Sequence, residues 1–151
     1  AIDGVGVGRQ QGFDLGDVLR RGQAGVATKL VHLVGGGFEQ QRRAVFAREF
    51  GGDIARIVFC ASADAAHPWR KPNPGMLLDQ AAFFGVALAG VPFVGDSLAD
   101  VQAARAAGAA PVLVKTGNGR VVAHKWRGKL EDVAVYANVE VAVDSWLKEA
   151  A

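Results

Sequence analysis

Two groups of charged residues in this chain have the types and spacing to handle a phosphate and a divalent cation. The first is Arg70-Lys71-Pro72-Asn73-Pro74-Gly75; the second, about 25 residues on, is Gly95-Asp96-Ser97-Leu98-Ala99-Asp100. A lysine acts on phosphate as a point charge, and an arginine offers a planar bidentate fork. Pro72 and Pro74 restrict the backbone around the cations and so fix where they point. Asp96 and Asp100 lie four residues apart at an expected helix start, a spacing that lets both carboxylates face one side. Magnesium takes hard oxygen ligands, usually one or two carboxylates with water and substrate phosphate completing the shell. Asp96 is therefore the candidate magnesium ligand, and Asp100 the residue that orients a ligand, a water or a lysine beside it. Each motif also has a plain reading. Asp96 can be a helix cap, Asp100 a first-turn acid facing the helix dipole, and Arg70-Lys71 a solvated basic pair. Both motifs together, in this order, favour a site.

The elements that must position these residues are legible from Ile54 onward. Ile57-Val58-Phe59-Cys60 is a compact apolar run suited to a buried strand. Residues 61–69 have loop composition. Asn73 is placed to cap a helix with Pro74 at its first position, running to about Phe84 with Met76, Leu77, Ala81 and Phe84 inward, and Gly85 ends it. Residues 90–94 form the next strand. Asp96 or Ser97 caps a helix from about Leu98 to Ala107, and Gly108 stops it. Residues 111–115 form a strand, 116–119 a turn and 133–136 a short strand, and Asn138 caps a last helix. Strands alternating with helices across short connections predict an α/β fold, a parallel sheet with helical crossovers. Ligands of such sheets gather beyond the carboxyl ends of the strands, which is where Asp96 falls.

Residues 1–50 read differently. Glycine recurs at positions 4, 6, 8, 12, 16, 22, 25 and 35–37, a density that raises the entropy cost of regular structure. A strand over 26–34 and a helix over 39–50 are the only candidates there. The expected division is an atypical glycine-rich segment, 1–50, followed by an α/β unit, 51–151.

The chain has 151 residues, half of them hydrophobic and 21% charged, with a net charge of +2. It is long enough to bury a core and too nearly neutral to suggest nucleic acid as a partner. No apolar run approaches the roughly 20 residues of a membrane span, and no signal peptide is visible. One cysteine, Cys60, excludes an internal disulfide and fits a reducing cytoplasm. A monomer is the simplest expectation. Starting at Ala1 rather than Met is compatible with a lost or processed start. His32 and His124 lack partners at recognisable spacing. The cluster His124-Lys125-Trp126-Arg127-Gly128-Lys129 reads as a solvated loop, and Gly117-Asn118-Gly119 as a plain turn.

The segments Arg70–Leu77 and Val94–Ala104, followed by Val112–Gly119, resemble the haloacid-dehalogenase-like (HAD) phosphatases. The similarity is strongest to the group that dephosphorylates heptose bisphosphate and histidinol phosphate, and it covers about residues 51–120. The resemblance implies a Rossmann-like fold and magnesium-dependent hydrolysis of a small sugar phosphate. D-glycero-D-manno-heptose 1,7-bisphosphate, a lipopolysaccharide heptose precursor, is the first expected substrate and histidinol phosphate the alternative. It also implies that Lys71 steadies phosphate and nucleophile, that Arg70 contacts substrate, that Asp96 binds magnesium and that Asp100 supports them. Lys71 and Asp100 are thus the candidate catalytic residues.

The departures are informative. The family attacks phosphorus with the first aspartate of an Asp-x-Asp-Gly motif, and the second serves as general acid and base. Asp3-Gly4-Val5 echoes the end of that motif, but Ala1 stands at the nucleophile position, and the interval to Lys71 is short for the family layout. The Thr-Asn-Gln-Ser-Gly strand motif is missing, Ala27-Thr28-Lys29 being a poor echo. One reading is a misassigned start joined to a genuine C-terminal half; another is a remnant that binds phosphate or metal without turnover. Relatives also hold structural zinc through Cys-x-His and Cys-x-Cys. The corresponding residues are Cys60, Ser62, His67 and Trp69, and two donors do not close a tetrahedral site. The expectation is against zinc, with Cys60 a small buried hydrophobe.

Overall fold

The computed structural model describes residues 56–149. Asp3, the strand expected over 26–34 and the helix expected over 39–50 lie outside the described residues. The elements are α1 (Gly75–Phe84), β1 (Pro92–Gly95), α2 (Leu98–Ala107), β2 (Ala110–Val114), α3 (Gly119–Lys125), β3 (Ala134–Tyr136) and α4 (Val139–Glu149), with a 3-10 turn at Arg127–Lys129. The three strands form one parallel sheet in the order β1-β2-β3. Each connection between them carries helix, as a parallel pairing requires.

β2 explains the packing. Val112, Leu113 and Val114 are consecutive and all buried, the pattern of a strand covered on both faces. Leu113 packs with Val101 of α2, Val122 of α3, and Leu130 and Val133. A second cluster joins Leu77 of α1, Phe93 of β1 and Ala103 and Ala104 of α2, together with Leu88, Val91 and Ala109. Ala103 and Ala104 are fully buried. Alanine ends at Cβ, so α2 can lie close to its neighbours, and that is what the alanine-rich sequence achieves.

Helix ends follow the chemistry of their sequences. Gly85 and Gly108 close α1 and α2 in the left-handed conformation, and Asn138 Oδ1 accepts the Val141 N–H at 2.9 Å at the start of α4. Arg105, near the end of α2, pairs with Asp132 ahead of β3 and also donates to the Lys129 carbonyl at 2.7 Å. The Arg105 guanidinium holds the Asp132 carboxyl below its usual value.

Three expectations are corrected. Residues 57–60 form no ladder among the described residues: Val58 is buried while Phe59 is 46% exposed, so the run is not sheathed on both faces. Asn73 does not cap α1; Pro74 occupies that position without a side-chain cap bond. Residues 119–125 are helical rather than turn and loop, because Val122 reaches Leu113 and packing outweighs weak local propensity.

Candidate active site

β1 and β2 run parallel with Gly95 opposite Leu113, so Asp96 and the turn at 115–118 leave the sheet at the same end. α2 also starts there. Its first turn is a capping box: Ser97 Oγ accepts the Asp100 N–H at 3.2 Å while the Ser97 N–H donates to Asp100 Oδ2 at 3.0 Å. The Ser97 hydroxyl donates to the same oxygen at 2.6 Å. The other oxygen, Oδ1, receives the Lys71 ammonium.

Asp100 is only 4% exposed, and a carboxylate at that depth needs both charge and hydrogen-bond partners. Lys71 and Ser97 supply them. Room for the side chain exists because residue 95 is glycine; a Cβ there would overlap Asp100. With both oxygens engaged, Asp100 is committed to Lys71 and to the start of α2.

Asp96 is partly exposed, and its surroundings differ. Its Oδ2 accepts the backbone N–H of Asn118 at 2.9 Å. The two aspartates, four residues apart, thus have separate partners: Asp96 meets the turn after β2 and Asp100 meets Lys71. Arg70 is exposed, and its Nη1 donates to the Ser62 carbonyl at 2.8 Å. Asn73, freed from capping, braces the loop that carries both cations, its amide donating to the Ala65 and His67 carbonyls at 3.2 and 3.0 Å.

Residues 68–139 match the HAD-hydrolase-like family, a span containing Arg70, Lys71, Asp96, Asp100 and the turn at 117–119. The fold also matches the crystal structure of D,D-heptose 1,7-bisphosphate phosphatase from B. bronchiseptica complexed with magnesium and phosphate. That match has a TM-score of 0.68 at 40% identity, over 73% of this chain and 62% of the other.

Over residues 68–139 this chain is similar to the HAD-like hydrolases.

Two curated relatives, both D-glycero-beta-D-manno-heptose-1,7-bisphosphate 7-phosphatases, extend the comparison. The Pseudomonas aeruginosa protein is 50% identical over 72 residues, 47% of this chain and 40% of its own length. The Bordetella bronchiseptica protein is 53% identical over 73 residues, 48% of this chain and 41% of its own. This chain therefore spans about two fifths of the length of the HAD-like relatives it matches.

The donor chemistry separates the two metals the family implies. Asp96 offers hard carboxylate oxygen at the strand ends, and among the described residues only the Asn118 N–H binds it. That fits one of the one or two carboxylates magnesium ordinarily takes. Zinc does not fit. Cys60 Sγ lies 3.6 Å from His67 Nδ1, but that nitrogen already accepts the Trp69 N–H at 3.1 Å. No group of three His, Cys, Asp or Glu side chains assembles among the described residues. Cys60 is half-buried beside a histidine, not the buried hydrophobe expected.

His124 lies exposed on α3, and Lys125 and Lys129 flank the Trp126 ring at 5.4 and 4.8 Å. No helix among the described residues is long and apolar enough to cross a membrane. Two contributors gained roles in the site that the sequence reading did not give them. Ser97 carries a readable signal, the Ser-x-x-Asp capping spacing. Asn118 carries none, because it acts through its backbone.

Proposed function

We propose that this chain forms part of a magnesium-dependent phosphatase site that hydrolyses a sugar phosphomonoester. The 7-phosphate of D-glycero-D-manno-heptose 1,7-bisphosphate is the first substrate to test. One observation carries the reading: a buried Lys71–Asp100 pair and the Asp96 carboxylate are held on adjoining elements at the carboxyl end of a parallel sheet. The names of the relatives support the substrate class.

In this reading Lys71 places positive charge against the phosphoryl oxygens, and Asp100 acts through Lys71 by fixing its ammonium. Arg70, at the exposed edge of the same loop, contacts the substrate. Asp96 supplies a carboxylate to magnesium, which offsets phosphate charge when bound. The carboxylate that attacks phosphorus, displacing the sugar hydroxyl and giving an aspartyl phosphate for water to hydrolyse, comes from outside residues 56–149. Asp3, at the second aspartate of the motif, would serve as general acid and base rather than as that nucleophile.

A second reading rests on a specific feature. Ala1 stands at the family's nucleophile position, and Asp100 is committed to Lys71 and Ser97. A chain with no attacking carboxylate would bind phosphate and magnesium without turnover.

One experiment addresses both. The whole chain is assayed with magnesium for phosphate release from heptose 1,7-bisphosphate, histidinol phosphate and an aryl phosphate, with calorimetric titration of magnesium and inorganic phosphate in parallel. Turnover that falls by about 100-fold or more in Asp96→Ala supports the enzyme, and loss in Asp3→Asn supports an acid and base role for Asp3. Binding without turnover supports the second reading. Turnover that survives Asp96→Ala contradicts the role given to Asp96.

A further inference from the structure

We infer that the turn from Thr116 to Gly119 is a backbone seat for the Asp96 carboxylate, holding one oxygen so that the other is presented to a divalent cation. The inference deepens the proposed function and rests on its reading of Asp96 as a metal carboxylate.

Contacts of the turn place it against Asp96. The Asn118 N–H donates to Asp96 Oδ2 at 2.9 Å. Gly117 has φ +56°, and a Cβ at that position would overlap the same oxygen. Gly119 lies so close to the end of β2 that a Cβ would overlap the Val114 carbonyl, and it too would face Asp96, 3.6 Å from its Cα. Gly117 and the Asn118 N–H thus meet the carboxylate itself, and Gly119 sets how closely the turn follows β2. Asn118 contributes through its main chain: its side chain is exposed and makes no cap bond to α3.

The physical consequence concerns affinity. A carboxylate at a strand end can rotate about its terminal torsion and meet a cation with either oxygen or both. A hydrogen bond to Oδ2 removes most of that freedom before the cation arrives. Outer-shell bonds of this kind are worth about 10- to 100-fold in metal affinity. Asn118 N–H is therefore a positioning group, and Gly117 is constrained by the oxygen it must admit.

The sharpest test removes the N–H and closes the space it leaves. Asn118 has φ −82°, which proline can adopt, so Asn118→Pro removes the donor and puts its Cδ where the N–H met Oδ2, closing the seat to the carboxylate. Asn118→Ala is its partner, losing the side chain and keeping the N–H. Magnesium affinity is measured by calorimetry on the full chain, with inorganic phosphate present. The expected result is affinity weakened about 10-fold or more in Asn118→Pro and within about twofold of the parent in Asn118→Ala. Equal affinity in the two folded variants overturns the seat.

If Asn118→Pro does not fold by far-ultraviolet circular dichroism, Gly117→Ala is compared with Gly90→Ala. Gly90 has φ +77° and open space where a Cβ would lie, so it carries the backbone strain without the collision. Weaker magnesium binding in Gly117→Ala alone supports the seat, and equal binding overturns it. Asp96→Ala separates this inference from the reading beneath it. Magnesium binding that survives Asp96→Ala removes the metal role itself; binding lost in Asp96→Ala yet untouched at residues 117 and 118 removes only the seat.

Discussion

At the scale of single residues, the buried charge is the decisive feature. Asp100 is 4% exposed, and the Lys71 side chain 19%. Such a pair adds little net stability over an apolar substitute, but removing one partner strands the other. Lys71→Met should therefore cost about 3 kcal/mol in urea unfolding. Adding Asp100→Asn should return a large part of that loss, giving a coupling energy of about 1–3 kcal/mol across the double-mutant cycle. Strict additivity of the two changes would show that the ion pair does not organise the start of α2. Under the proposed function, activity should stay lost in the double variant, because neutral side chains restore the fold without restoring the cation assigned to phosphate. This separation of stability from turnover distinguishes a lysine that serves chemistry from one that serves only packing.

At the scale of elements, β2 and α2 set the frame. Leu113 is completely buried among Val101, Val122, Leu130 and Val133, contributed by α2, α3 and the approach to β3. Truncating it leaves a cavity as well as losing apolar burial. Leu113→Ala is expected to cost about 3 kcal/mol, measured by chemical denaturation. A cost below about 1 kcal/mol would mean that the surrounding helices collapse into the gap, and that β2 is not the fixed reference on which the 115–119 turn is hung. The same strand explains why α3 forms. Its seven residues have poor intrinsic helicity, with Gly119 at the start and Val121-Val122 within, and Val122 finds its reason in Leu113 rather than in its own neighbours. By contrast α2 has both kinds of support, a capping box at Ser97 and alanines that pack closely.

At the scale of the whole molecule, the sheet should unfold unevenly. β2 is bonded on both sides, whereas β3 is three residues long and α4 contributes one buried residue, Ala142. Native-state hydrogen exchange should be slowest at Val112–Val114 and fast along α4, since protection tracks burial and ladder bonding. Slower exchange in α4 than in β2 would show that α4 is covered by contacts beyond those described. At the same scale, about two fifths of the length of the curated relatives is spanned here, and the attacking carboxylate of the proposed reaction lies outside residues 56–149.

The sequence by itself determined the fold class, the positions of α1, β1, α2 and β2, and the family resemblance. These rest on local signals: apolar runs of strand length, glycine stops after Phe84 and Ala107, and a strand leading directly into Gly95-Asp96. It also identified Arg70, Lys71, Asp96 and Asp100 as the charged residues of interest, through their types and spacing. Tertiary structure decided what each of them touches. Spacing alone put Asp96 and Asp100 on one side of a helix start, yet one binds the turn after β2 and the other binds a lysine 29 positions earlier. Asn73 has the composition of a cap and serves instead as a brace across its own loop. Gly117-Asn118-Gly119 reads as a plain turn, and only the folded chain brings its backbone N–H to Asp96. The division has a physical cause. Helix stops and strand runs are written in neighbouring residues, whereas the partner of a carboxylate is chosen by chain segments that meet only once the sheet has formed.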